Sequence, residues 1–131
     1  MAKVSSHTTS EHYAVEIKSP SGNIVVADEP ASNGGLDKGL SPTELIAAGL
    51  AACTSITLRM YAGRKGWDLT SVSTDIELVR DEGTAITSIT RRLHLSGNLD
   101  EAQRARLLTI ANSCPVHKIL SGQVNINTQM V

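Results

Sequence analysis

A chain of 131 residues has the usual length of one domain, expected here over 1–131, and can bury a core without disulfides or metals. Twelve basic against thirteen acidic side chains leave a formal charge of −1, and the chain has no Phe, one Trp and two Tyr. That excludes the electrostatic footprint and the stacking surface of a nucleic-acid binder, and it means the core must be built from aliphatic residues and alanine.

The N-terminal stretch MAKVSSHTTSEHYAVEIK lacks the apolar core of a signal peptide, so a cytoplasmic location is expected. Tyr13, Val15 and Ile17 alternate with polar residues, Pro-Ser-Gly-Asn follows at 20–23, and Ile24 to Ala27 form an apolar run. This pattern predicts a β-hairpin. PASNGGLDKG reads as a loop. Ser41, Pro42 and Glu44 then announce a helix, with a serine cap, proline at the first helical position and a glutamate placed for a capping box. The helix is expected to run to about Ala62 and to stop near Gly63 and Gly66.

Residues 70–80 alternate in polarity, Asp81-Glu82-Gly83 turns the chain, and Ile89, Leu93 and Leu95 then alternate with Ser88, Thr90, Arg92 and His94, which predicts an antiparallel pair over 70–96. Asn98 and Glu101 suggest a second capping box and a helix over about 99–112. A short helix after Cys114-Pro115 and a final strand, QVNINTQM, complete the chain.

This order of elements predicts an α+β fold with an antiparallel sheet and two main helices. The apolar run at 45–58 is too short and too rich in Ala and Thr to span a bilayer, so no membrane partner is expected. Leu45, Ile46, Leu50, Ile56, Leu58 and Met60 surround the first helix on all sides, with no charged residue from Leu45 until Arg59. A helix without a solvated face points to burial against a second copy of the chain, hence a two-fold homodimer.

Cys53 lies deep in that helix, and the only other cysteine is Cys114. In a reducing compartment the two could be buried filler, metal ligands or a redox pair, a permanent disulfide being disfavoured. Cys114 precedes Pro115 at a helix start and has His117 and Lys118 one turn on, so local chemistry makes it the better thiolate. Cys53 is twelve residues past its own cap, about 18 Å along the axis, beyond the reach of the helix dipole. Zinc normally announces itself by close ligand pairs, and only Cys114 with His117 approaches one, so no metal and no cofactor are expected. Neither His7 nor His12 is placed by a motif to serve as a base, and His94 reads as a residue of a solvated strand face.

SPTELIAAGLAACTS together with ANSCPVHKIL resembles the OsmC/Ohr family of bacterial thiol-dependent peroxide-reducing proteins, over about residues 39–121. The resemblance implies an intertwined OsmC-like homodimer with active sites at the subunit interface. It implies that Cys53 is the peroxidatic nucleophile and Cys114 the resolving cysteine, acting on an organic hydroperoxide in oxidative stress defence and recharged by a dithiol reductant. The alternative is a module that holds a small hydrophobic ligand, or senses redox state, without strong peroxidase activity. The family's well-studied peroxidases use an arginine from the N-terminal strands and a carboxylate ten residues before the cysteine. Here no arginine precedes Arg59, and Thr43 fills the carboxylate position with Glu44 one step later. Glu44 is therefore a candidate for the carboxylate. Arg91 is a candidate for the cation, because it falls in the apolar register of its strand beside Ile89 and Leu93.

Overall fold

The computed structural model describes residues 1–131, which gather into two compact units, Met1–Ile46 and Ala47–Val131. Both are built on antiparallel pairing, and the fold is α+β.

The first unit holds a three-stranded sheet of β1 (Ser5–Thr8), β2 (Val15–Lys18) and β3 (Ile24–Ala27), in that order. The expected hairpin is β2–β3, closed by a turn in which Ser19 Oγ accepts the Asn23 N–H at 3.1 Å. β1 was not foreseen. Its residues, Ser-Ser-His-Thr, are polar and exposed, so it carries none of the alternation by which a strand is recognised, and it forms by pairing with β2. Asp28, only 2% exposed, organises the following loop: its carboxylate accepts the N–H groups of Glu29, Leu36 and Lys38. Burial pushes this carboxyl up, but those three N–H donors together with the Lys38 charge hold it below the usual value.

Helix α1 (Pro42–Lys65) starts with the expected capping box. Glu44 Oε1 accepts the Ser41 N–H at 2.9 Å, and Ser41 Oγ accepts the Glu44 N–H at 3.3 Å. It runs three residues past the expected end, until Gly66 takes a left-handed conformation (φ 68°) that glycine adopts without strain. Taken whole, the 24-residue helix is long and apolar enough to cross a membrane, which the shorter run at 45–58 did not suggest.

In the second unit α1 buries Leu50, Thr54, Leu58 and Ala62, a stripe at four-residue spacing. Leu58 and Ala62 join Leu69, Leu107, Ile110 and Ala111 in the core, with Val72, Leu93 and Leu95 of the sheet packed against them. That sheet is β4 (Ser71–Asp81) paired with β5 (Ile86–Ser96), in a register that sets Val72 opposite Leu95 and Ile76 opposite Arg91. Burial alternates over residues 71–78 and 89–96 and is lost toward the turn, with Arg92 ion-paired to Glu77 and His94 hydrogen-bonded to Asp75 on the outer face.

After β5 the chain passes Gly97, where a Cβ would lie 1.8 Å from the Asp68 carbonyl oxygen, so no other residue fits. The predicted Asn98/Glu101 box is corrected here. Helix α2 (Glu101–Ile110) is capped by Asp100, whose side chain accepts the Gln103 N–H at 2.7 Å while Gln103 Oε1 accepts the Asp100 N–H at 2.9 Å. Asn98 instead gives its backbone N–H to Asp68. Two overlapping polar-x-x-polar patterns competed, and the approach of Asp68 decided between them. The short helix α3 (Pro115–Leu120) follows Cys114 as expected. The predicted closing strand is also corrected. Val124 and Ile126 alternate as a strand would, but no other strand pairs with them, and both are exposed. Alternation gives the capacity to pair, and a strand exists only where a ladder satisfies its backbone.

Asp100→Ala should lower stability by about 1 kcal/mol, and Asn98→Ala by less than about 0.5 kcal/mol, in denaturant unfolding. The reverse ranking would restore the cap to Asn98.

Candidate active site

Both cysteines belong to the second unit, and both are free thiols. Cys53 sits on α1 beside the buried stripe and is half-buried. Cys114 is fully buried and takes the cap position of α3, where its Sγ accepts the His117 N–H at 3.2 Å. The turn into α3 brings this segment against Cys53. The Val116 backbone N–H, the Cys114 thiol and Thr57, one turn further along α1, are the neighbours that favour the thiolate on Cys53.

Cys53, which lacks help from the start of its own helix, finds it in the fold. Burial acts first on Cys53 and pushes its thiol up, but Val116, Cys114 and Thr57 outweigh it and hold the thiol below the ordinary value. The donors are neutral, and two of the three come from a segment sixty residues away. Thr57 was within reach of sequence reasoning, being four residues after Cys53 on the same helical face. The Val116 N–H was not, because only the tertiary fold points it at Cys53.

Arg91 faces inward, as its register suggested. Its Nη1 donates to Thr54 Oγ1 at 3.1 Å, and its Nη2 donates to Asn112 Oδ1 at 2.9 Å and approaches His117 Nδ1 at 3.3 Å. Thr54, fully buried, also donates to the Leu50 carbonyl at 2.7 Å. His117 thus touches both parts of the site, its backbone on Cys114 and its ring on Arg91. In the sequence His117 stands out only as a neighbour of Cys114, and Thr54 and Asn112 carry no signal. Beside this network opens a cavity of about 300 Å3, lined by Leu50, Ile89 and Leu120 together with Thr87, Arg91, His117 and Ser121.

Glu44 belongs to the first unit, where its carboxylate is engaged with the Ser41 N–H. That bond, together with the Ser41 side chain, holds it below the usual glutamate value. No three His, Cys, Asp or Glu side chains gather in a way that could hold a metal ion. The groups on hand are two free thiols and a guanidinium held by Thr54, Asn112 and His117.

The sequence model of a family described as "OsmC-like protein" matches residues 35–129. Over 99 residues the chain is 32% identical to the peroxiredoxin OsmC of Escherichia coli (strain K12), an alignment that covers 72% of this chain and 69% of that protein. The crystal structure of the organic hydroperoxide resistance protein OhrB of Bacillus subtilis is similar, with a TM-score of 0.64 and 27% identity over 95% of this chain and 93% of that one. The OsmC-like protein from Mycoplasma pneumoniae gives a TM-score of 0.79 at 18% identity, covering 100% of this chain and 97% of that one, a likeness of fold.

Because neutral donors hold the Cys53 thiol down, its alkylation by a small haloacetamide should reach half-maximal rate below the usual midpoint of about 8.5. Thr57→Val and Cys114→Ala should each raise that midpoint, since each removes a hydrogen bond to the thiolate. A midpoint unmoved by both would show that these donors do not act on the sulfur.

Proposed function

Because the chain belongs to the OsmC-like protein family, we propose that it is a thiol-dependent peroxidase in which Cys53 is the nucleophile and Cys114 resolves the oxidised product. What supports this reading is the match to the family together with the lowering of the Cys53 thiol, in which Val116 and Cys114 take part.

The reaction then runs in three steps. The Cys53 thiolate attacks the distal oxygen of a hydroperoxide; the S–O bond forms, the O–O bond breaks, and the remaining alkoxide takes a proton and leaves as the alcohol. The Cys53 sulfenic acid condenses with the Cys114 thiol, forming a disulfide and releasing water. An external dithiol reduces that disulfide by exchange and returns both thiols. The name of the B. subtilis relative supports an organic hydroperoxide as substrate and a role in oxidative stress defence.

For Arg91, the bonds to Thr54 and Asn112 and its place in the cavity lining support a role in the cavity rather than on the Cys53 sulfur. For Glu44, the bond to Ser41 supports the role of a helix cap rather than a catalytic one. We further propose that 1–131 acts as one OsmC-like domain in a cytoplasmic homodimer. Ala52, Ile56 and Met60 support the dimer, since they form an apolar stripe on α1 that is exposed in the single chain, Ile56 at 54% and Met60 at 57%. The fold is a soluble one, so α1 is read as a core helix whose remaining apolar face a second copy covers.

In a steady-state assay with a hydroperoxide and a dithiol, the wild type should consume peroxide and Cys53→Ser should not. Cys114→Ser should still form a sulfenate in a single turnover but accumulate no intramolecular disulfide. Equal activity of wild type and Cys53→Ser would remove the peroxidase reading. Light scattering at micromolar concentration should find a dimer, with Ile56→Asp shifting it to monomer.

A further inference from the structure

The charge of Arg91 has no counter-charge. Its three hydrogen-bond partners are a hydroxyl, an amide oxygen and an imidazole nitrogen, and none of the chain's ion pairs includes it. The other inward positions of its strand, Ile89, Leu93 and Leu95, are apolar. Holding a guanidinium partly out of water beside such neighbours is costly, and arginines so placed are normally paired with an anion. A guanidinium has five N–H donors, so three engaged donors leave two.

The cavity next to it combines two chemistries. Leu50, Ile89 and Leu120 supply an apolar wall, and Arg91, His117 and Ser121 supply polar groups. Its volume of about 300 Å3 lies at the lower end of the range typical for small-molecule sites. At roughly 30 Å3 per water-sized atom, it accommodates a ligand of about ten non-hydrogen atoms.

We propose that this cavity is a binding site for a small amphipathic monocarboxylate, its carboxylate on Arg91 and its hydrocarbon body against Leu50, Ile89 and Leu120. Arg91 is then the residue that selects for charge, and the apolar wall selects for a compact tail. A long acyl chain would not fit. The site rests on the cavity and its cation, not on the thiol chemistry, and it is read by binding without turnover, so either proposal can fail while the other stands.

Octanoate has about the right size, and octanamide keeps its shape without its charge. In isothermal titration of the full-length protein, octanoate should bind at least tenfold tighter than octanamide, and acetate should bind at least tenfold more weakly than octanoate. Arg91→Met should erase the preference for octanoate over octanamide, whereas Arg92→Met, an exposed residue paired with Glu77, should preserve it. The comparison of the three ligands on the wild type needs no variant, so it holds even if Arg91→Met fails to fold. Equal affinity for octanoate and octanamide would overturn the proposal, as would no binding of octanoate at millimolar concentration, the result expected if a carboxylate of a second copy already occupies Arg91. A preference that survives in Arg91→Met would overturn it too.

Discussion

The four side chains that α1 buries in the second unit, Leu50, Thr54, Leu58 and Ala62, determine where its chemically active groups stand. Leu58 and Ala62 seat the helix against Leu107, Ile110 and Ala111, and this hydrophobic contact holds it. Thr54 is the polar member of the stripe. A hydroxyl taken wholly out of water must be bonded, and this one donates to Leu50 and accepts from Arg91, so the same burial that fixes the helix also fixes the guanidinium. One residue earlier, a rotation of about 100° carries Cys53 from the buried stripe to its edge, half-exposed.

What could be read from the sequence followed from local physics. The inward register of Arg91, the Ser41–Glu44 cap, the β4–β5 pair and the helix start at Pro115 all rest on periods or hydrogen bonds that span a few residues. The misses share the opposite property. β1 exists only because β2 lies beside it, and Val124 and Ile126 have the alternation of a strand without a partner. The cap of α2 turned on Asp68, thirty residues before Asn98. Of the site, Cys53, Cys114 and Arg91 were legible as candidates, whereas the groups that act on them were mostly not. Asn112 and His117 are 21 and 26 residues from Arg91, and no pattern in one sequence connects them.

The two thiols illustrate how tertiary structure overrules local preference. By its own neighbours Cys114 has the better start, a cap position with an N–H on its sulfur. Yet it is wholly buried and closed to a substrate arriving from solvent. Cys53 is half-exposed, and Val116, Cys114 and Thr57 hold its thiol below the ordinary value. Accessibility and a lowered thiol thus fall on the same sulfur, the combination that the proposed order of attack requires.

Since neutral groups hold the Cys53 thiol down, no cation need be committed to it. Hydrogen bonds from an amide, a thiol and a hydroxyl act at contact distance and are little affected by salt, whereas the attraction of a guanidinium for an anion is long-ranged and screened within about 10 Å at 0.1 M ionic strength. Arg91 keeps its charge for whatever enters the cavity, and His117 links the two arrangements without merging them, by its backbone to one and its ring to the other. An OsmC-like chain with no arginine before Arg59 thus separates two tasks, making a thiolate and attracting a charged ligand. In this reading the separation has a physical cause: Thr54 and Asn112 hold the guanidinium against the cavity, and the donors on Cys53 reach it from α1 and from the turn into α3.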